Sequence, residues 1–104
     1  MDEDYLEAVL DLVDSIPAGR ATTYGTIAEH VGELLGRGGP RQVGQVLARA
    51  GSGVPWWRVV NASGEPPAAH RERATALLRA EGCPLTDGVP PRVVLRAALW
   101  WPPD

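Results

Sequence analysis

The chain of 104 residues has no phenylalanine, no lysine and only one cysteine. A single cysteine cannot build a disulfide framework, which excludes the small disulfide-stapled secreted class. No run of about 18 apolar residues is present to span a bilayer, so no membrane partner is expected. The start, MDEDYLEAVLDLVDSIP, is acidic and amphipathic, unlike the basic n-region of a signal peptide. We therefore expect one soluble domain over residues 1–104, located in the cytoplasm.

Common catalytic and ligand-binding patterns are also missing. His30 and His70 are the two histidines, and they do not have the spacing of metal ligands. No glycine-rich phosphate loop, paired-carboxylate motif or Ser-His-Asp signature is found. Cys83, in EGCPL, has no histidine near it in sequence, so a reactive role is disfavoured. The sequence predicts no catalytic residue, no metal and no cofactor.

Charge is distributed unevenly along the chain, although the net charge is only -3. Acidic residues crowd the first predicted helix, whereas the stretch 34–64 contains four arginines and no acidic residue. Such a basic segment is either ordinary solvated surface or a contact for an anionic partner. Charge alone leaves both interpretations open.

The spacing of apolar residues predicts a mainly helical domain. The predicted helices are Glu3 to Ser15, a second with Thr22 or Thr23 as N-cap and Gly32 as stop, a third from Pro40 to Gly51, and a fourth in AHRERATALLRAEG closed by Gly82. WRVVN predicts a short strand, NASGEPP a turn, and PPRVVLRAALWWPP one more strand with a packed tail. The second and third helices resemble a helix-turn-helix. The predicted fold is mainly α with a small β-hairpin, of the winged-helix kind.

The outer face of the predicted third helix is unusual. Opposite its valines the helix carries Arg41, Gln45 and Ala48, with Gly44 on the flank. A glycine in mid-helix costs about 0.5 to 1 kcal/mol relative to alanine. A small, acid-free face lets another backbone come close, and double-stranded DNA is the obvious candidate. The alternative is that the glycine packs on a neighbouring element of the protein itself.

The stretch GVPWWRVV places two of the four tryptophans side by side, at Trp56 and Trp57. Neighbouring residues of an extended strand point to opposite faces, so both indoles cannot face the same core. At least one of them is expected to face a cavity, a partner or a ligand. A plain core role stays open for either one.

Four segments, IPAGRATTYGTIAEHVG, PRQVGQVLA, VPWWRVVNASG and LLRAEG, together resemble the DNA-binding domain of O6-alkylguanine-DNA alkyltransferases over about residues 5–82. In that family the strand reads Pro-Cys-His-Arg, and its cysteine accepts the alkyl group. Here the cysteine position is Trp56, and the position of the activating histidine is Trp57. Glu81 matches the glutamate that partners the histidine. Because an indole cannot replace a thiolate, the resemblance implies an alkyltransferase-like protein, the branch that binds alkylated bases without repairing them.

The resemblance also implies base flipping, with the helix-turn-helix laid in the minor groove. Arg41 matches the arginine that fills the vacated stack, and Tyr24 matches the tyrosine that pushes on the backbone of the flipped nucleotide. Tyr24 has a packing role in the first helical turn as its alternative. The implied lesion pocket contains Tyr24, Trp56, Trp57 and Arg58, with Arg58 bracing the site rather than reading a base. The implied DNA contacts are Thr23, Tyr24, Arg41, Gln42, Gly44, Gln45 and Ala48.

The turn after the predicted strand departs from the family, because it lacks the basic residue that reaches the lesion in relatives. His70 or Arg71 is the possible replacement for this lesion reader. The partners implied are double-stranded DNA with O6-alkylguanine and proteins of nucleotide excision repair. The protein itself is expected to be a monomer, nucleoid-associated when it is bound to DNA.

Two other functions are possible from the sequence. A winged-helix regulator without lesion specificity is disfavoured because a sequence reader needs a longer major-groove helix and usually a dimer. An active alkyltransferase that uses Cys83 is disfavoured because this residue lies well outside the pocket strand.

Overall fold

The computed structural model describes residues 2–103, which form a mainly helical domain with one small sheet. Its helices are α1 (Glu3–Asp14), α2 (Tyr24–Leu35), α3 (Pro40–Ala50), α4 (Arg71–Ala80) and α5 (Leu95–Ala98), its strands are β1 (Thr22–Thr23) and β2 (Val59–Val60), and short 3-10 turns cover Gly51–Gly53, Trp56–Arg58 and Ala68–His70. The prediction of a mainly α fold is confirmed. Within the described range, every helix is too short or too polar to cross a bilayer.

Side-chain caps explain where the first three helices begin. The Asp2 carboxylate accepts the N–H groups of the first turn of α1, and the Thr23 hydroxyl accepts the Thr26 N–H at 3.0 Å to open α2. At α3 the Gln42 side chain accepts the Gly39 N–H at 3.0 Å, and Pro40 occupies the first helical position. These starts agree with the predicted ones.

The predicted stop of α2 at Gly32 is wrong, because the helix continues to Leu35. Gly36 is the residue that ends it, with a left-handed φ of 71° and its N–H bonded to the Gly32 carbonyl at 2.7 Å. Gly32 keeps ordinary helical geometry, so it lowers the stability of the helix without ending it.

The hydrophobic core has two parts. The larger cluster lies between α1, α2 and α3 and is built from aliphatic side chains at helical spacing, including Val9, Val13, Ile27, Val31, Val43 and Val46, all of them at most 1% exposed. The second cluster joins β2, α4 and the C-terminal segment, and it contains Ala21, Val60, Leu78, Cys83, Val93 and Ala98. The sheet lies where the two clusters meet.

The predicted β-hairpin is wrong in strand direction, because β1 and β2 pair in parallel, with Thr22 opposite Val59 and Thr23 opposite Val60. Two helices separate these strands in the chain, and parallel strands need such a crossover rather than a tight turn. The strand predicted in WRVVN is also shorter, because Trp56–Arg58 forms a 3-10 turn in which the Arg58 N–H bonds to the Pro55 carbonyl. Assignment to the winged-helix group stays a prediction.

The additional strand predicted near the C-terminus is wrong as well. Backbone pairing there is reduced to isolated bridges, Leu85 with Val93 and Ala21 with Leu99, and α5 interrupts the segment. Prolines 90 and 91 have no N–H to donate to a ladder. The tail is nevertheless packed, as predicted, because the Trp100 N–H donates to the Ala21 carbonyl at 2.8 Å and Arg20 binds the Ala98 carbonyl at 2.9 Å.

Candidate functional site

A cavity of about 390 Å³ opens where α3, the Trp56 turn and the start of α4 come together. Its volume lies within the range of sites that take small molecules. Its lining residues come from four separate parts of the chain: Tyr24, Gly44, Leu47, Ala48, Gly51, Ser52, Trp56, Pro67, Ala69, His70 and Arg73. The fold therefore brings together five residues that the sequence had singled out from distant segments, namely Tyr24, Gly44, Ala48, Trp56 and His70.

Trp56 forms part of the cavity wall, between two other rings. Its ring lies 5.8 Å from that of Trp57 at an interplanar angle of 89°, and 5.6 Å from the His70 ring at 62°. Both are edge-to-face arrangements, which aromatic pairs favour. The expectation that one indole faces a cavity is confirmed, but the two rings do not lie on opposite faces of a strand, because residues 56–58 form a 3-10 turn and the rings contact each other.

Trp57 lies outside the residues that line the cavity and faces Glu81 instead. Its Nε1–H donates to Glu81 Oε2 at 3.1 Å, and its ring packs against the second core cluster. The guanidinium of Arg58 lies 5.4 Å from the centre of the Trp57 ring, within cation–π range. Trp57 therefore supports the wall behind Trp56 and is not itself part of its surface.

Arg58 connects three parts of the protein through its guanidinium. Its Nε donates to Glu81 at 3.1 Å, and its Nη1 donates to the carbonyl of Ile16 at 2.7 Å, just past the end of α1. The Gly19 N–H donates to the same carboxylate at 3.3 Å, from a residue with a left-handed φ of 82°. Arg58 thus braces the end of α1 against the end of α4.

The carboxylate of Glu81 is held in its charged form. Burial by itself would raise the pKa of Glu81, but the hydrogen bonds from Arg58, Gly19 and Trp57 lower it below its usual value of 4.5. The side chains of the Arg58–Glu81 ion pair are only 15% and 14% exposed. Glu81 is therefore a fixed anchor for Trp57 and Arg58.

The outer face of α3 is open around Gly44. A Cβ built at Gly44 would meet no other atom within 4 Å, and its φ is not left-handed. Neither packing inside the protein nor backbone conformation requires a glycine at this position. The alternative in which Gly44 packs on a neighbouring element of the protein is therefore excluded.

The remaining predicted contacts on α3 surround this open position. Arg41, Gln42, Gln45 and Ala48 are exposed. Among the described residues, Arg41 has no ion pair or side-chain hydrogen bond, which leaves its guanidinium available. Gln42 is partly engaged, because its side-chain oxygen caps α3.

The start of α2 has two roles at once. Thr23 is the N-cap, and Tyr24 packs partly on the core while it lines the cavity. Burial raises the pKa of the Tyr24 hydroxyl above its usual value of 10.0, so the hydroxyl keeps its proton at neutral pH. Both interpretations of Tyr24 from the sequence, a packing residue and a site residue, are compatible with this position.

The two possible lesion readers occupy different positions. His70 lines the cavity, whereas Arg71 does not and lies 3.9 Å from the Glu65 carboxylate. Arg73 lines the cavity, and sequence reasoning missed it. The sequence could have indicated Arg73, because both residues lie in the predicted helix AHRERATALLRAEG, and residues three apart on a helix share a face.

Cys83 does not line this cavity. It lies in the second core cluster at 5% exposure, and burial together with the nearby Glu81 charge raises the pKa of its thiol above the usual 9.0. A buried thiol with a raised pKa is a poor nucleophile. Within residues 2–103, no group of His, Cys, Asp or Glu side chains is arranged to hold a metal ion.

Comparison with known proteins gives a consistent result. Residues 4–83 match the family model described as 6-O-methylguanine DNA methyltransferase, DNA binding domain. The chain is 32% identical to a DNA base-flipping protein of Vibrio parahaemolyticus over 104 residues, which cover 96% of this chain and 99% of that relative. It is 44% identical to alkyltransferase-like protein 1 of Schizosaccharomyces pombe over 66 residues, 62% of this chain and 57% of that relative.

A solved structure covers almost the whole fold. The crystal structure of S. pombe Atl1, in complex with damaged DNA containing O6-carboxymethylguanine, superimposes with a TM-score of 0.81. The match covers 98% of this chain and 99% of that chain at 29% sequence identity.

Proposed function

The chain belongs to the family of the 6-O-methylguanine DNA methyltransferase DNA-binding domain, and from this premise we propose that it is a DNA-damage sensor. It binds double-stranded DNA that contains O6-alkylguanine and flips the alkylated base into the cavity beside Trp56. It does not transfer the alkyl group. Relatives named for base flipping, and a structural neighbour bound to damaged DNA, support this proposal.

The observation that carries the proposal is the open space over Gly44 at the edge of a cavity lined by Trp56. Glycine destabilises a helix relative to alanine, and nothing else in the protein packs against Gly44. The exposed backbone at this position is therefore suited to close contact with another molecule. DNA that lies against α3 at Gly44 and Ala48 would have the cavity directly beside it. The exposed and unpaired Arg41 is then available to enter the base stack that the flipped nucleotide leaves.

The other residues take supporting roles in this proposal. Tyr24, on the cavity wall, contacts the backbone of the flipped nucleotide, and Thr23, Gln42 and Gln45 contact the neighbouring DNA. The α2–α3 pair lies in the minor groove. Weak pairing of an alkylated guanine lowers the cost of flipping, which is a few kcal/mol for a normal base.

Selectivity has a second source in the cavity itself. Trp56 offers apolar surface to the added alkyl group, at about 25 cal/mol for each Å² covered. Its position matches the cysteine that accepts the alkyl group in the enzymes, so no thiolate faces the lesion. The Trp57–Glu81 hydrogen bond supports the idea that Trp57 takes the place of the activating histidine, because it reaches the glutamate that the resemblance assigned to that histidine.

The bound protein then marks the lesion for nucleotide excision repair. It acts as a cytoplasmic monomer that associates with the nucleoid when it is bound to DNA. These parts of the proposal come from the family resemblance.

The test is a fluorescence-anisotropy titration of labelled duplexes that differ only in O6-methylguanine against guanine. We expect the damaged duplex to bind several-fold more tightly, because flipping costs less and the alkyl group gains contact with Trp56. Affinity for both duplexes should fall as salt rises, since arginines and helix N-termini contact phosphates. Equal affinities would contradict lesion sensing and would favour a regulator without lesion specificity.

Variants locate the selectivity within the protein. Trp56→Ala should reduce the ratio between damaged and undamaged affinity. Trp101→Ala is the matched control, because Trp101 is 65% exposed and does not line the cavity. If both variants lost the preference for the damaged duplex, the selectivity would not come from the cavity.

A further inference from the structure

The cavity beside Trp56 carries positive charge on one wall and no negative charge among the described residues that line it. Its basic residues are His70 and Arg73, and no Asp or Glu is among its lining residues. This wall contrasts with the chain as a whole, which has a net charge of -3. Any attraction of the cavity for an anionic group is therefore local and does not follow from the charge of the protein.

His70 lines the cavity beside Trp56. Its ring is 5.6 Å from that of Trp56, the residue that faces the alkyl group under the proposed function. A substituent that extends past the indole therefore comes within reach of the imidazole. An imidazole ring carries an N–H donor in both of its protonation states, so it can bind an oxygen acceptor in either.

Arg73 lies in the first turn of α4, three residues after His70, which is the N-cap of that helix, and both side chains line the cavity. Within residues 2–103 its guanidinium has no carboxylate within ion-pair distance, and no hydrogen bond engages it. Two acids lie nearby: Glu65 is 3.9 Å from Arg71, and Glu72 lines an adjacent hollow that His70 and Arg73 also border, but neither acid lines the cavity beside Trp56. The guanidinium is thus free to bind a group inside the cavity, and its fork of donors fits a carboxylate.

We infer that the cavity selects O6 substituents that end in a negative charge, such as a carboxymethyl group, over neutral substituents of the same size. Arg73 supplies the attraction, and His70 supplies a second donor beside Trp56. This inference rests on the proposed function, since it assigns the chemical class of lesion that the same cavity takes. It makes Arg73 a specificity-determining residue.

The experiment compares four duplexes of one sequence, with guanine, O6-methylguanine, O6-carboxymethylguanine or its neutral isostere O6-carbamoylmethylguanine at a single position. Dissociation constants are measured by anisotropy for the wild type. We expect the carboxymethyl duplex to bind about 2- to 5-fold more tightly than the carbamoylmethyl duplex, the range of an exposed ion pair. The preference should shrink with added salt.

The variants use ratios, because loss of an arginine can weaken all DNA binding. Arg73→Gln should bring the carboxymethyl-to-carbamoylmethyl ratio close to one, and His70→Gln should lower it. Arg79→Gln is the matched control, since it removes the same charge from an exposed position on the same helix, outside the cavity lining. It should leave the ratio unchanged.

The outcomes separate the two claims. If O6-methylguanine binds no better than guanine, the proposed function fails. If the methyl lesion is recognised but the charged and neutral isosteres bind equally, only the charge selectivity is wrong. If Arg73→Gln weakens all four duplexes by one factor, Arg73 contacts a phosphate and the inference is overturned.

Discussion

Replacement of Gly44 by alanine should stabilise the protein and impair its binding to DNA. In the free protein the new methyl group meets no other atom within 4 Å, so it introduces no clash. The helix gains the usual advantage of alanine over glycine, about 0.5 to 1 kcal/mol. For a domain of this size the corresponding rise in Tm is about 2 to 8 °C.

The bound state should respond in the opposite direction. If DNA lies against α3 at Gly44, the methyl group enters a space that the nucleic acid occupies, and inserting a methyl into a packed contact costs about 1 to 3 kcal/mol. Affinity for damaged DNA should then fall by about 5- to 150-fold. A variant that is both more stable and weaker in binding cannot owe its defect to misfolding.

Gly32→Ala is the matched control for this measurement. Gly32 also lies inside a helix, outside the cavity lining, and a Cβ there would meet only the Arg37 carbonyl at an ordinary 3.9 Å. It should raise the Tm by a similar amount and leave DNA affinity unchanged. The assays are a thermal melt and an anisotropy titration on each variant. Wild-type affinity in a stabilised Gly44→Ala protein would refute the approach of DNA at this position.

Three further predictions concern the arginine, the tryptophans and the carboxylate of the site. Arg41→Ala should weaken lesion binding by about 1 to 3 kcal/mol with an unchanged melting curve, and normal binding by an equally stable variant would remove Arg41 from the mechanism. Trp56→Cys should transfer a radiolabelled methyl group from DNA in a single turnover more slowly than Trp56→Cys combined with Trp57→His, because a thiol of pKa near 8.5 needs a neighbouring base. Equal rates would mean that Trp57 is not in the histidine's place. Glu81→Gln should reduce stability by up to about 3 kcal/mol at neutral pH, because it leaves the Arg58 charge without its partner, and chemical denaturation would measure the loss. The pKa of Glu81 in the folded protein is lowered, so the stability that Glu81 adds to the wild type is fully present above pH 4.5 and is lost as the pH falls through the folded-state pKa. If Glu81→Gln lost stability in acid in the same way as the wild type, the acid dependence would not come from Glu81.

Local signals in the sequence were enough to predict the helices. Asp2, Thr23 and Pro40 start helices through interactions within one turn, and such interactions are visible in a single sequence. The end of α2 was harder, because Gly32 and Gly36 are both reasonable stops by residue type. The structure places only Gly36 in a left-handed conformation, and that depends on where the chain must go next.

The sheet could not be derived in the same way. The pairing of Thr22 with Val59 depends on how the two helices between them, α2 and α3, pack, and no local pattern encodes it. A hairpin was the simplest interpretation of a short strand beside a turn, and nothing in the local sequence identifies β1 as the partner of β2. The same limit applies to Trp56 and Trp57: one indole does face a cavity, as expected, but the expectation rested on an extended strand, and these residues form a 3-10 turn in which the two rings are in contact.

Much of the candidate site was predicted from residue type and from the family resemblance. The cavity contains Tyr24 and Trp56 as expected, whereas Trp57 and Arg58, which were also expected in it, do not line it, and the roles assigned to these residues stay predictions. The resemblance also paired position 57 with Glu81, and these two side chains are hydrogen-bonded. Arg73 was not predicted, because in relatives the basic residue comes from the turn after the strand, whereas here the first turn of the following helix also reaches the cavity.

Strand β1, with the residue before it, joins three distant stretches of the chain. Thr22 and Thr23 pair with β2, and Ala21 pairs with Leu99, next to a hydrogen bond between residues 78 positions apart. Contacts of such long sequence separation close large loops, and they form late because the loop entropy must be overcome first. The packing of α1, α2 and α3 uses nearer neighbours and can come first. Since β2 directly follows the turn that carries Trp56, we expect the cavity to be completed only in these last steps, so that the ability to bind is acquired at the end of folding.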